Sequence, residues 1–187
     1  MAYAARLSIY GSGEQQGLAA EFVSYILQRA EKAGKGVYEK AIRIVDEGMS
    51  RGSQTLKGFV KEVEVDGEKY MVKVIDGEAV EEDRGGRKLL RLKITAEVGD
   101  VRSDYVMTYG RYGKHNATLG FAYARAEADA ERFAAVIKAL TGEEPKVYHM
   151  KNGKIKIACY EGHLEGFARY AELADTIASW TEETSRR

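Results

Sequence analysis

"KLLRLKITAEVGDVRSDYVMTY", residues 88–109, alternates apolar and polar side chains on both sides of Gly99-Asp100. A period of two is the mark of a strand with one buried face, and a Gly-Asp pair between two such runs is a two-residue hairpin turn. Once the turn is placed, the register follows. Val98 faces Val101, Ala96 faces Ser103, Ile94 faces Tyr105, Leu92 faces Met107 and Leu90 faces Tyr109. That side is apolar and belongs to a core. The other side carries Glu97 against Arg102, Thr95 against Asp104, Lys93 against Val106 and Arg91 against Thr108.

The same signals recur on either side of this hairpin. "GFVKEVEV" (58–65) and "EKYMVKVI" (68–75) flank Asp66-Gly67, a favoured hairpin turn. "DGEAVEEDRGGR" (76–87) is acidic and glycine-containing, and is expected to be an exposed loop. "KVYHMK" (146–151) and "KIKIACY" (154–160) turn on Asn152-Gly153. A two-residue turn there directs Tyr148, Met150, Ile155, Ile157 and Cys159 to one face, and His149, Lys151, Lys154 and Lys156 to the other. Lys151 then stands opposite Lys154, a like-charge pairing that costs stability unless an anion lies between them.

Helical spacing takes over elsewhere. "YAARLSIY" (3–10) reads as a short strand ended by "GSGEQQG" (11–17), and apolar residues recur at helical intervals from Leu18 to about Met49. Gly34 and Gly36 divide or kink that region. A helix is expected from Asn116, as its cap, to Leu140, with Gly142 ending it. A last helix carries Leu164, Phe167, Ala171, Ala174 and Ile177 and ends near Trp180. The fold class is α+β: an antiparallel sheet built from hairpins with helices on one face. Residues 1–187 are read as a single domain, with a strand and helical part at 1–53 and a hairpin-hairpin-helix-hairpin-helix core at 54–187.

Composition narrows the classes of function. The chain has 187 residues, 44% hydrophobic and 31% charged, the profile of a globular protein. No run approaches the length of a membrane span and no leader pattern opens the chain, so no membrane partner and a cytoplasmic location are expected. The single Cys159 forms no internal disulfide, and its strand position turns it inward. Net charge is +0, which removes any global pull toward nucleic acid. The charges are uneven, however: residues 1–86 hold 12 basic and 15 acidic side chains, and residues 87–187 hold 17 and 14. Abundant charge with few amides points to a heat-adapted source.

Most candidate motifs dissolve on inspection. "GSGEQQG" misses dinucleotide-loop spacing by one residue and lacks the following strand-helix-strand unit. His115, His149 and His163 are scattered, and none pairs with Cys159 at metal-ligand spacing. Glu127, Asp129 and Glu131 open a helix, where acids complement the dipole. No catalytic residue, metal site or cofactor is assigned. "GRYGKHN" (110–116) is different: Arg111, Tyr112 and Lys114 combine charge, an aromatic face and flexible glycine, which suits phosphates or unstacked bases. With the two registered hairpins it gives a candidate nucleic-acid surface of Arg91, Lys93, Arg102, Arg111, Tyr112, Lys114, His149, Lys151, Lys154 and Lys156. About five to seven phosphate contacts there imply a salt slope of about −5 to −6 on duplex DNA. The competing account is that an antiparallel sheet with one wet face is simply polar on that face.

The segment from "RLKITAEV" to "TIASW" resembles the PaRep proteins (two-b branch), a multicopy crenarchaeal family without an established activity. "GFAYARA", "EADAERFAA" and "HLEGFARYAELAD" carry that likeness. The arrangement of helices and hairpins is also similar to the LAGLIDADG homing endonucleases, whose saddle-shaped sheet lies on DNA. "TLGFAYARA" follows that motif's rhythm, with Gly120 as the close-packing glycine of a helix and Phe121 as the apolar residue after it. Arg125 stands where the motif's metal-binding acid belongs, so the resemblance implies binding without cleavage.

The leading expectation is therefore a noncatalytic nucleic-acid-binding protein with a homing-endonuclease-like fold, acting on DNA ahead of RNA. One rival is a metal-dependent endonuclease using acids such as Glu127 or Asp129. The other is a structural or protein-interaction module, with "TLGFAYARA" as a helix–helix contact inside the chain or between the subunits of a homodimer.

Overall fold

In the computed structural model, residues 51–114 and 116–185 are described, with Tyr25, 27–39 and Ala41 of the N-terminal part. The strand expected at 3–10, the "GSGEQQG" loop and His115 lie outside the described residues. The chain divides into two compact units, Met1–Arg51 and Gly52–Arg187. In the first, residues 27–32 and 35–39 are helical and Gly34, at φ 113°, parts them.

The second unit holds a seven-stranded sheet. β1 (Val60–Val65), β2 (Glu68–Arg84), β3 (Arg87–Val98), β4 (Val101–Tyr112) and β5 (Ala117–Ala124) follow one another as an antiparallel meander. Helix α1 (Glu127–Thr141) then crosses to β6 (Lys146–His149) at the sheet edge, and β7 (Ile155–Cys159) returns between β6 and β5. Two helices close the chain, α2 (Glu161–Phe167) and α3 (Ala171–Ser185). The order across the sheet is β1-β2-β3-β4-β5-β7-β6, and every adjacent pair is antiparallel. The molecule is α+β.

Helices α1, α2 and α3 pack on one face of the sheet. Leu90, Leu92, Ile94, Ala96 and Val98 of β3 and Tyr105, Met107 and Tyr109 of β4 are buried there. They join Val72 and Val74 of β2, Ala122 of β5, and Ile155, Ile157 and Cys159 of β7. From the helices come Val136, Ile137 and Leu140 of α1 and Leu173, Ile177 and Trp180 of α3. The hairpin around Gly99-Asp100 has the register its alternation dictates, Leu90 opposite Tyr109 through to Val98 opposite Val101. Asp66-Gly67 is likewise a two-residue turn with both residues at positive φ.

Four local expectations are corrected. "DGEAVEEDR" is no loop but the second half of β2, paired with β3 from Asp76–Thr95 to Arg84–Arg87. Gly85-Gly86, at φ 62° and 78°, makes the hairpin turn. The acids are tolerated on a strand because β3 sets bases against them, Glu78 facing Lys93 and Glu82 contacting Arg91. A bulge between Val74 and Asp76 precedes Gly77, where a Cβ would stand 2.0 Å from Cδ2 of the fully buried Leu56.

The helix expected from Asn116 begins only at Glu127. Asn116 sits at φ 49° in the β4–β5 turn instead of capping a helix, and Ala117–Ala124 is strand. β5 is hydrogen-bonded to β4 on one side and β7 on the other, which outweighs the helical leaning of its alanines. The helix that the LAGLIDADG likeness places over "TLGFAYARA" is thus replaced by a central strand, and so is the proposed helix–helix contact. Gly142 does end α1, at φ 84°.

The closing helix is two helices. Gln54 bridges Tyr170, with Ala171 N–H donating to Gln54 O at 2.9 Å, and this pairing draws the chain out of helix between α2 and α3.

The third hairpin is slipped by one residue. Gly153 N–H donates to Met150 O and Met150 N–H to Lys154 O, and Gly153 lies at φ 77°. The turn is therefore Lys151-Asn152-Gly153, a three-residue loop with glycine in the left-handed position, and not the two-residue Asn152-Gly153. His149 pairs with Ile155 and Tyr148 with Lys156. A slip of one exchanges the faces. His149 turns to the helix side and Tyr148 to the outer side.

Candidate functional site

The sheet face turned away from the helices has two halves with different chemistry. Across β1–β4 it is a lattice of paired charges. Lys69 meets Glu62 at 3.2 Å, Lys73 meets Glu97 at 3.0 Å and Arg84 meets Glu82 at 2.7 Å. Arg91 lies 3.6 Å from Glu82 and Lys93 lies 3.0 Å from Asp104. Asp104 also accepts from the Thr95 hydroxyl at 2.7 Å, and these hydrogen bonds from Thr95 and then Lys93 hold its pKa below the ordinary aspartate value. Arg91 and Lys93, expected to face phosphates, are partnered by protein carboxylates, Glu82 from β2 and Asp104 from β4. Arg102 stands exposed opposite Glu97, whose carboxylate Lys73 holds.

Across β5, β7 and β6 the face changes. β5 directs Ala117, Leu119, Phe121 and Tyr123 outward, while its buried Thr118, Ala122 and Ala124 and tightly packed Gly120 line the helix side. β7 contributes Lys156 and Ala158, and β6 contributes Lys146 and Tyr148. None of these outward side chains is acidic. Tyr123 pairs with Lys156 and Lys156 with Tyr148, so one row across three strands reads tyrosine, lysine, tyrosine. Tyr123 is 60% exposed and Tyr148 44%.

Contacts within this patch hold its parts in place. The Lys156 ammonium lies 3.7 Å from the centre of the Phe121 ring, and Tyr112 meets Phe121 edge-on with centroids 5.3 Å apart. Lys146 lies 5.3 Å over Tyr160. The Tyr148 and Tyr160 hydroxyls are 3.3 Å apart, and that hydrogen bond, followed by burial, raises the Tyr160 pKa. Lys151 and Lys154 are exposed about the β6–β7 turn at one end of the strands. Lys114 is exposed in the β4–β5 turn at the other. Among the described residues none of Lys114, Lys146, Lys151, Lys154 and Lys156 has an ion-pair partner.

Two expected contacts are used for structure. Arg111 points to the helix side, where its guanidinium donates to Thr184 Oγ1 at 3.1 Å, Ser185 Oγ at 3.1 Å, Asn116 O at 3.3 Å and Thr118 Oγ1. It also lies 5.4 Å over the Trp180 ring, tying α3 to the β4–β5 end of the sheet. His149, on the helix side of β6, meets Glu127 of α1 at 2.9 Å.

Of the expected residues, then, the fold gathers Tyr112, Lys151, Lys154 and Lys156 along this half of the sheet, with Lys114 at its end. It leaves Arg91, Lys93, Arg111 and His149 elsewhere. Sequence reasoning missed Phe121, Tyr123, Lys146 and Tyr148. The signal for the first two was present: "TLGFAYA" alternates small residues with Leu119, Phe121 and Tyr123 at a period of two.

Among the described residues no cluster of histidine, cysteine and carboxylate side chains is arranged to hold a metal ion. Cys159 is fully buried, and burial pushes its thiol up to about 12, far from a reactive thiolate. His163 is buried with Nδ1 accepting from Tyr160 N–H at 3.2 Å and Nε2 donating to Glu144 O at 3.1 Å, which occupies both nitrogens. Among the described residues no helix is long and apolar enough to cross a membrane.

The fold and this face define an α+β protein with helices on one side of an antiparallel sheet and, on the other, a basic and aromatic surface without acids across β5, β7 and β6. The chain matches no protein-family model, no curated protein and no solved structure.

Proposed function

We propose that this chain binds nucleic acid through the outer face of β5, β7 and β6. The observation that carries the reading is the set of five lysines, Lys114, Lys146, Lys151, Lys154 and Lys156, free of carboxylate partners among the described residues on a surface whose strands contribute no acid. A chain with zero net charge gains no affinity for polyanions from its overall field, so only such a local concentration can supply it. Phosphates recruited there release counterions, and five contacts correspond to a salt slope of about −4.5 on duplex DNA or about −3.5 on a single strand.

The reading does not depend on the endonuclease likeness, whose helix is a strand in this chain. It carries no cleavage step. Kinship with the PaRep family remains a proposal on the three sequence stretches that suggest it. The test is titration of the full chain into labelled duplex and single-stranded oligonucleotides at graded salt. Affinity that falls linearly with log salt, and that drops when Lys151, Lys154 and Lys156 are changed to alanine, is expected. Absence of binding at low salt, or indifference to the triple change, would sink the proposal.

A further inference from the structure

We propose, resting on the nucleic-acid reading above, that the ligand is a single strand whose bases stack on Tyr123 and Tyr148. The row Tyr123–Lys156–Tyr148 runs across β5, β7 and β6. Strands lie about 4.8 Å apart, so the two tyrosine backbones stand about 10 Å from each other across β7. Lys156 stands between them in the row, and its ammonium is held over the neighbouring Phe121 ring. That order matches the repeating chemistry of an unpaired strand, base, phosphate, base. A duplex keeps its bases stacked inside and offers a protein phosphates and groove edges, which a tyrosine hydroxyl can meet but on which its ring face cannot stack. Stacking on aromatic side chains needs unpaired bases, and an open antiparallel sheet face displaying aromatics and cations is a surface able to receive them.

The opposite half of the same face sharpens the contrast. Its cations are committed to protein carboxylates, and neither β2 nor β3 directs an aromatic ring outward there. Rings and free lysines occur together on β5, β6 and β7, which favours a ligand needing both. A polyanionic protein would be served by the lysines alone. A second copy of this chain would place like charge against like.

The experiment is fluorescence anisotropy with a twelve-nucleotide oligothymidine, its RNA counterpart and a twelve-base-pair duplex, using the full chain at one fixed low salt. Tyr123→Ala, Tyr148→Ala and the matching phenylalanine variants are compared; both residues are exposed, so folding is preserved, and circular dichroism checks this. Single strands are expected to bind tighter than duplex, each alanine variant to lose about tenfold on single strands, and each phenylalanine variant to keep parental affinity. Comparison of the DNA and RNA strands identifies which sugar is preferred. Equal or tighter duplex binding, or alanine variants that bind as the parent does while the lysine changes weaken binding, overturns stacking and leaves the electrostatic reading standing. No binding to any oligonucleotide overturns both. Dimers in sedimentation that Tyr148→Ala dissolves would give this face to a second copy and overturn it as well.

Discussion

Tyr109 of β4 lies flat against Gly120 of β5: a Cβ on Gly120 would come within 2.7 Å of the tyrosine ring carbons. The ring is fully buried and cannot swing aside. Gly120→Ala is therefore expected to destabilise the protein by about 1–3 kcal/mol, the usual cost of overpacking a filled core. Chemical denaturation measures it. Combining the change with Tyr109→Leu makes room, so the double variant is expected to be more stable than the sum of the singles. Strict additivity would show that the contact is not what requires the glycine.

The same tyrosine supplies a second expectation. Its hydroxyl is buried without a partner of hydrogen-bonding geometry, and the Cys159 thiol beside it is a weak acceptor. Burial, then the Cys159 neighbour, drives its pKa well above the ordinary value, so it stays neutral at any working pH. Removing an unsatisfied buried group is neutral or favourable. Tyr109→Phe is expected to leave the unfolding midpoint unchanged or raise it slightly; a loss above about 1 kcal/mol would reveal a hydrogen bond the geometry does not contain.

Arg111 illustrates why a basic loop residue need not face a ligand. Its guanidinium joins Thr118 and Asn116 to Thr184 and Ser185 while covering Trp180, which is fully buried and donates Nε1–H to Lys88 O at 3.1 Å. Lysine cannot reproduce a planar fork of donors. Arg111→Lys is expected to cost about 1–3 kcal/mol of stability, with oligonucleotide affinity of the folded fraction unchanged. A variant that keeps its thermal midpoint and loses binding would return Arg111 to the interface.

Glu172 of α3 contributes stability that depends on its staying ionised. Both of its oxygens accept Leu56 N–H, at 3.0 and 2.9 Å, and Oε1 accepts Lys57 N–H at 3.2 Å. Burial on its own pushes the carboxyl up, but backbone donors, Leu56 foremost, outweigh it and leave the pKa below the ordinary glutamate value. With the folded pKa depressed, the contribution is complete above the unfolded value of about 4.3 and is lost as pH falls through the folded one. Glu172→Gln is expected to lower stability at neutral pH and to flatten its decline below about pH 4.3. Parallel acid curves for parent and variant would show that the carboxylate contributes nothing.

How much of this was legible in the chain depends on where each strand finds its partners. The β3–β4 hairpin was open to reading because its partners are adjacent and its turn has two residues. The tail of β2 was hidden, since its acids suit a strand only when Arg91, which contacts Glu82, and Lys93, which faces Glu78, arrive from β3. β5 was hidden for a similar reason: β7, which completes its pairing, follows 31 residues after it in the chain, as the span from Ala124 to Ile155 measures. The β6–β7 slip turned on one glycine. Gly153 serves as the left-handed third residue of its loop, and that single position decided whether His149 or Tyr148 joined the site.

The division of the outer face predicts where salt-dependent affinity resides. Arg91 and Lys93 are held by Glu82 and Asp104, so Arg91→Ala and Lys93→Ala are expected to leave oligonucleotide affinity and its salt slope unchanged. Lys154 and Lys156 have no such partners among the described residues. Each alanine change there is expected to weaken binding for every sequence tested and to reduce the salt slope by about 1. Exposed ion pairs are worth about 0–1 kcal/mol, so neither set of changes unfolds the protein and the comparison is made on intact chains. Slopes measured at four salt concentrations for the four variants decide the matter. Equal losses on both halves would mean that the paired cations exchange their carboxylates for phosphates and that the interface spans the whole sheet; losses confined to Arg91 and Lys93 would move it to β2 and β3.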